Sequence, residues 1–463
     1  VDGFKMDREY LNRLLKIALP IILQNFFQAS LNMIGSMMIG QMGEKSVAAV
    51  GLANQISFLM ILLLFGINSG CAIFTAQFWG KGDVVSIRKA QGIGIAMSLV
   101  GASFFFIISA FFPEAAMRIY TNDETVIALS SGYLRTVSFS YLVMGVGFTY
   151  SSVTRSVGAV QIPLIASMTA ITMNVGISYV LIFGMFGMPM MGVNGAAMGV
   201  LISRTIECTL LLGLVYWKQL PSAARWRELW SFDFKFFKSV LSRALPVAGN
   251  EMFWSLGVTT YNIAYAHIST EAIAAVNMVS PIENMAFVIF MGISDACGIL
   301  IGNLIGAGEE KKAFSYARRS LTIGVIGAMG VGVLIWLFAG NLLSIYKVSP
   351  IVTDYASKIL LVSAGTLWIR VSNLTMFVGI FRSGGDTRFS FLVDVLSVWL
   401  VGVPMAFAGA FLFQFPVYFV YLGIMTEELV KSVVAIFRFL SKRWINNLTH
   451  IGQALPEVEQ VTG

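Results

Sequence analysis

Four carboxylates interrupt otherwise apolar stretches of this chain: Glu251, Glu283, Asp295 and Asp394. A charge held at hydrocarbon depth costs about 3 kcal/mol on insertion scales, so an acid retained there marks an ion or substrate path. Such a group binds a proton or Na⁺ reversibly, and the spacing of its neighbours says what surrounds it. Glu251 follows Pro246 by five residues and shares a helical stripe with Trp254, Ser255, Asn262 and Tyr265. A carboxylate, a hydroxyl, an amide and two aromatics on one face suit a water-filled cavity. Asp394 shares its face with Ser390 and Ser397, and Pro404 beyond them frees a backbone carbonyl. Glu251, Asp394 and Asp295 are therefore the expected cation-coupling residues, with Na⁺ as an alternative to H⁺ at Glu251 and Asp394. Glu283, nearer the outer side, is a secondary candidate. Trp254, Ser255, Tyr261, Asn262, Phe287 and Met291 are the expected lining of a soft cavity for a planar organic cation.

Enzyme chemistry finds no foothold. His267 and His450 are the two histidines in the sequence, which excludes an HExxH zinc helix, and no GxxxxGK[ST] loop is present to cradle ATP phosphates. Cys71, Cys208 and Cys297 are scattered without CxxC spacing, so they read as packing residues and not as a disulfide or metal set. No cofactor is expected beyond the coupling ion.

The elements that must position these acids are membrane spans. Hydrophobic residues make up 57% of the 463 positions and charged residues 12%, against roughly 25% charged in soluble domains. Apolar runs bounded by short polar turns predict helices over 14–39, 47–78, 90–112, 126–150, 160–184, 193–217, 240–266, 273–305, 316–343, 352–380, 388–412 and 415–440. The fold class is thus an all-α integral membrane protein of about twelve spans. The net charge of +7 does not call for nucleic acid, because about 24 of the 31 Lys and Arg residues fall on one set of alternate loops. That bias places both termini in the cytoplasm. Residues 1–10 are polar and charged and do not read as a cleavable leader.

The chain repeats itself. Ala18-Leu19-Pro20 recurs as Ala244-Leu245-Pro246, and the same offset of 226 residues pairs Gly66-Ile67 with Gly292-Ile293, Cys71 with Cys297, and Gly80 and Gly82 with Gly306 and Gly308. An offset of 227 pairs Arg155-Ser156 with Arg382-Ser383. Six helices per copy means that both copies enter the membrane from the same side, related by a pseudo-two-fold axis along its normal with a central cleft. The expected division is a first lobe over 1–217, a cytoplasmic linker over 218–239, a second lobe over 240–449 and a disordered tail over 450–463. The repeat partners of Glu251, Glu283, Asp295 and Asp394 are Asn25, Ser57, Ser69 and Ser167. Buried acids are accordingly expected in the second lobe only.

Ala18-Leu19-Pro20-Ile21-Ile22, Met38-Ile39-Gly40-Gln41-Met42-Gly43, Gln77-Phe78-Trp79-Gly80-Lys81-Gly82, Ile301-Gly302-Asn303-Leu304-Ile305-Gly306-Ala307-Gly308 and Arg382-Ser383-Gly384-Gly385-Asp386-Thr387 resemble the multidrug and toxic compound extrusion family in order and spacing. The resemblance spans about residues 12–448. It implies a cation-coupled antiporter of the bacterial inner membrane, acting as a monomer, that exports organic cations and other amphipathic compounds by rocking two lobes. Members often carry an acid in the first helix and another in the fifth, four residues after an Asn. Here those positions hold Gly35 and Ser178, with the Asn kept as Asn174, a secondary coupling candidate. An acid in the tenth helix of some members is replaced by the stretch Val371-Ser372-Asn373. The competing reading is a flippase or exporter of lipid-linked sugars or polysaccharides from the same superfamily, which would line its cavity with basic residues to match pyrophosphate.

Overall fold

The computed structural model describes residues 8–344, 346 and 348–450. Twelve long helices run through them: α1 (Arg8–Gly40), α2 (Glu44–Lys81), α3 (Val84–Phe111), α4 (Glu124–Ser156), α5 (Gln161–Phe183), α6 (Val193–Trp217), α7 (Phe234–Ile268), α8 (Thr270–Gly306), α9 (Glu310–Leu343), α10 (Pro350–Phe381), α11 (Thr387–Leu412), and α12 in two runs, Val417–Ile424 and Thr426–Leu440. Ten of these are long and apolar enough to cross a bilayer by length and composition, and the two outside that set, α7 and α12, each carry buried charge. Residues 451–463, most of the expected tail, lie outside the described residues.

The helices start earlier than apolarity alone predicts. α3 starts at Val84 instead of 90 and α7 at Phe234 instead of 240, because Asp83 and Asp233 accept from the backbone N–H groups of Ser86 (3.0 Å) and Phe236 (3.2 Å). A capped first turn is stable in water as well as in lipid, so polar residues join the helix ahead of the hydrocarbon. Between the halves the connector holds a one-turn helix, Trp226–Leu229, tied to α3 by Arg88, whose guanidinium meets Glu228 at 2.7 Å.

Repeat-related residues touch each other reciprocally where the lobes meet. Gly80 of α2 packs on the Asn303 carbonyl of α8, while Gly306 packs on the Gln77 carbonyl; a Cβ on either glycine would overlap that backbone. The pairs Gly66 with Ala248 and Gly292 with Ile22 repeat the pattern one lobe to the other. Each member is displaced by 226 residues from its counterpart, so a pseudo-two-fold axis passes between α2 and α8. Small residues permit this approach because any side chain would hold the backbones apart. At the end of this seam the segment after α12 straps the lobes together. Gln77 donates to the carbonyls of Ser383 (2.9 Å) and Asn446 (3.1 Å) and accepts from the Leu448 N–H (2.7 Å), while Trp444 is fully buried.

Two helices of the second lobe depart from α geometry. α10 ends in a π-helical run, Thr375–Phe381, and α11 carries two, Val398–Gly402 and Ala408–Leu412, on either side of Pro404. Wider π turns are rare and re-aim side chains, which places them next to sites more often than elsewhere.

Candidate functional site

The second lobe gathers charge around one lysine. Lys431 of α12, with 4% of its side chain exposed, extends its ammonium to Asp394 of α11 at 2.8 Å and to Glu427 and Glu428 of its own helix at 3.4 and 3.6 Å. The three carboxylates are held from further directions. Tyr261 of α7 donates its hydroxyl to Glu427, Asn373 of α10 donates to Glu428 Oε2 at 2.6 Å, and Asn250 of α7 lies beside Asp394. Ser432 closes the ring by donating to Asn373 Oδ1 at 2.9 Å. Gly402, the last residue of a π run in α11, leaves room for this arrangement: a methyl there would collide with Tyr261 Oη and Glu427 Oε2. Three acids share one ammonium here, and the Arg382 and Arg370 guanidinium groups act on Asp394 and Glu428 from the neighbouring networks. The Oδ1 atom of Asn250, buried and without a partner in the structure, adds a neutral oxygen of the type that ligates Na⁺.

A second network lies toward the other end of the lobe. Glu283 of α8 meets Arg370 of α10 at 3.1 Å and accepts from Tyr421 at 2.5 Å and from Ser363. The Arg370 guanidinium also lies over the Phe287 ring at 4.7 Å. One acid meets one base here, and all three contacts converge on Glu283 Oε1.

Glu251 has a partner that its sequence neighbours do not reveal. Its Oε1 accepts from Arg382 Nη2 at 2.8 Å, and 5% of the Arg382 side chain is exposed. Asp295 lies in the field of Arg155, Arg382 and Glu251 and borders a cavity of about 100 Å³ at the lobe seam, also lined by Asn68, Ser69, Arg155 and Arg382. A larger cavity of about 320 Å³ shares Phe65, Phe148, Arg155 and Asp295 with it and extends along Gln24, Asn25, Gln28 and Met291.

The six residues expected to line one soft cavity are spread apart. Met291 borders the larger cavity; Tyr261 and Phe287 belong to the two ion networks; Ser255 is buried; Trp254 and Asn262 are exposed. In the first lobe Asn174 donates to Ser203 at 2.8 Å, beside a third cavity of about 240 Å³ that Gly35 and Ser178 line.

The expectation that buried acids belong to the second lobe only is overturned. Glu207 of α6 pairs with Arg204 at 2.7 Å and accepts from Ser167 at 2.5 Å, which in turn accepts from Gln24. Pairing at i,i+3 let the acid and base neutralise each other within one helix, so neither stood out as an isolated charge. Glu427, Glu428 and Lys431 were also missed. Their signal was the outward face of α12, where Val430, Val433 and Phe437 are exposed: apolar residues on that face force the charged face inward.

Twelve spanning helices in two symmetry-related lobes, with ion networks inside one lobe and cavities along the seam, define a polytopic membrane transporter. The chain belongs to the MatE family, whose model matches residues 20–180 and 246–408, two stretches that begin 226 residues apart. The family is one of membrane transporters and not of enzymes. The chain is 24% identical to the probable multidrug resistance protein NorM of Thermotoga maritima over 441 residues, covering 94% of this chain and 93% of that protein. It is also 24% identical to the uncharacterized transporter YisQ of Bacillus subtilis, covering 93% and 94%. The bent form of the Vibrio cholerae MATE transporter VcmN superposes with a TM-score of 0.83 at 17% identity, covering 94% of this chain and 97% of that one. A MOP superfamily transporter from Pyrococcus furiosus gives 0.81 at 17%, covering 95% and 98%.

Proposed function

We propose that the protein exports amphipathic organic cations from the bacterial cytoplasm by alternating access, driven by inward movement of H⁺ or Na⁺. The carrying observation is the surplus of carboxylate over ammonium around Lys431, where Asp394, Glu427 and Glu428 share a single base. A cation entering that cluster neutralises charge, and its release restores repulsion between acids. The difference biases the lobe between two packings, as a ligand does when it binds one state better than the other. Pro404 and the π runs of α11 and α10 supply the deformable backbone beside it.

The excess of lysine and arginine on one set of loops supports a cytoplasmic position for the strapped end of the seam. The arrangement is then closed inward. The protein acts as a monomer in the inner membrane, and Glu251 and Asp295 communicate with the cluster through Arg382 and the seam. Named relatives in multidrug resistance support the substrate class.

The test is ethidium efflux from proteoliposomes under an imposed pH gradient and, separately, an imposed Na⁺ gradient. One of the two gradients is expected to drive efflux, and Asp394→Asn is expected to abolish that response with the protein still inserted and monodisperse. Efflux indifferent to both gradients, or unchanged in Asp394→Asn, would reject coupling at this cluster.

A further inference from the structure

A duplicated fold should close its seam with matching parts from both copies. The glycine contacts between α2 and α8 obey that rule, and the segment after α12 breaks it. Its counterpart is the connector that follows α6, the last helix of the first copy. There the Pro221 and Ser222 carbonyls accept from Arg88 (3.2 Å) and Gln91 (3.0 Å) of α3, and the Ser222 hydroxyl meets Thr154 of α4 at 3.0 Å. All three partners belong to the connector's own lobe. The segment after α12 instead reaches across to α2 of the opposite lobe.

Its two ends are held differently. The near end is rooted in the second lobe. Trp444 stacks on Phe439 of α12 with 6.2 Å between ring centroids and donates its indole N–H to the Phe439 carbonyl at 3.2 Å. A Cβ on Gly384 would overlap the Trp444 carbonyl, and the Gly384 carbonyl accepts from the Asn446 N–H at 2.9 Å. The far end is seated in the first lobe. Leu448, 3% exposed, belongs to the apolar cluster that holds Phe74 and Phe78 of α2 and Ile87 of α3. Its N–H donates to Gln77 Oε1 at 2.7 Å, and Lys81 donates to the Thr449 carbonyl at 3.1 Å. Gln77 Nε2 donates to the Ser383 and Asn446 carbonyls, so the three bonds of this one amide all cross the seam.

We propose that residues 447–449 are a latch: a pin carried by the second lobe and seated in the first, which holds the strapped end of the seam shut and withdraws before the lobes part there. The glycines let the backbones of α2 and α8 approach, and the pin sets how far the closed arrangement is favoured over the open one. Parting the lobes breaks the bonds of Gln77 and Lys81 together and draws Leu448 from its apolar seat into water, so both terms favour closure. Trp444 stays with α12 as the anchor and returns the pin to register when the seam closes again. Two discrete packings joined by such an element form a switch and not a continuous deformation. The inference rests on the alternating-access part of the reading above and is independent of the ion and the substrate.

Val85 and Lys311 are exposed, lie 226 residues apart and begin α3 and α9 at the strapped end, one on each lobe. Spin labels on Val85→Cys and Lys311→Cys, in the full chain with Cys71→Ala, Cys208→Ala and Cys297→Ala, report the separation of the lobes by pulsed electron–electron double resonance. The measurement is made in lipid nanodiscs without gradient or substrate. Gln77→Leu and Leu448→Ala are each expected to lower the ratio of closed to open lobes about tenfold, the order expected for one lost buried interaction. The two together are expected to make the longer distance the major one. Lys81→Gln, at the rim, should lower the ratio about twofold, and with Leu448→Ala it replaces the pair if Gln77→Leu does not fold. A combined variant with the parent's distances and a lowered melting temperature overturns the inference, because the segment is then a brace common to both arrangements. If the distances lengthen but neither gradient drives ethidium efflux, the latch stands and the coupling is wrong. If a gradient drives efflux and the distances stay unmoved, the proposed function stands and the latch is wrong.

Discussion

The two lobes share a helical plan and treat buried charge in opposite ways. The first keeps one acid and one base on the same helix, Glu207 and Arg204, each about one-fifth exposed to a polar cavity. Amides and a hydroxyl from Gln24, Gln28 and Ser167 complete it. The second draws Asp394, Glu427 and Glu428 from two helices onto Lys431 and locks Glu283 to Arg370 with two hydroxyls. A self-neutralising pair next to water gains little from any added ion. A cluster short of positive charge gains a great deal. Duplication supplied the scaffold twice, and substitution gathered three acids on one base in the second copy.

The strongest way to break this comparison is Lys431→Met, which strands three acids at once. Loss of about 3–5 kcal/mol is expected, as when one partner of a buried ion pair is removed, with thermal unfolding in detergent as the readout. Unchanged stability would mean that the acids already carry protons and that the lobes differ less than the geometry implies. Glu251→Gln leaves the buried Arg382 without its carboxylate, and a loss of about 3 kcal/mol is expected. Arg382→Gln in the same protein should recover a measurable part of it, since both charges are then gone.

Smaller effects sharpen the contrast. Gly402→Ala pushes Tyr261 off Glu427, for which about 1–3 kcal/mol of overpacking strain is expected; ion-gradient dependence of efflux should shift with it. Glu207→Gln in the first lobe is expected to cost about 1 kcal/mol or less and to leave the identity of the driving ion unchanged. A switch from one driving ion to the other in Glu207→Gln would move coupling into the first lobe.

The weakest effect belongs to the loop ahead of α4. There the Lys45 ammonium, together with the Thr125 and Val126 N–H groups, holds the Asp123 carboxyl below its ordinary value of 3.8. A depressed folded-state value contributes stability that is complete above the ordinary carboxylate range and lost as the pH falls through the lowered one. The stability of Asp123→Asn should therefore converge on that of the parent in acid, below about pH 4, with only a small difference at neutrality.

Much of the fold could be read from the chain. Twelve apolar runs and a fixed offset are consequences of a bilayer that forces every spanning backbone into helices and of a duplication that preserved spacing. The reciprocal contacts of Gly80 with Asn303 and Gly306 with Gln77 follow from the same offset. The ion networks were far less legible. Glu251 stood out as an acid in an apolar helix, but Arg382, its partner, lies 131 residues away. Glu427 and Lys431 are four residues apart, a spacing as common on solvated helix faces as in cores, and only Asp394 and Tyr261 from two other helices make them part of a network.

The sequence alone determined that the chain is a duplicated bundle of membrane helices, because hydrophobic length and periodicity are local properties that lipid enforces residue by residue. It also determined that some acids must be buried. Which base answers which acid was decided by tertiary structure, since a charge pair needs contact within a few ångströms and contact depends on how kinked helices cross. The same holds for Gln77 and Leu448, whose bond exists only once two lobes meet at their seam.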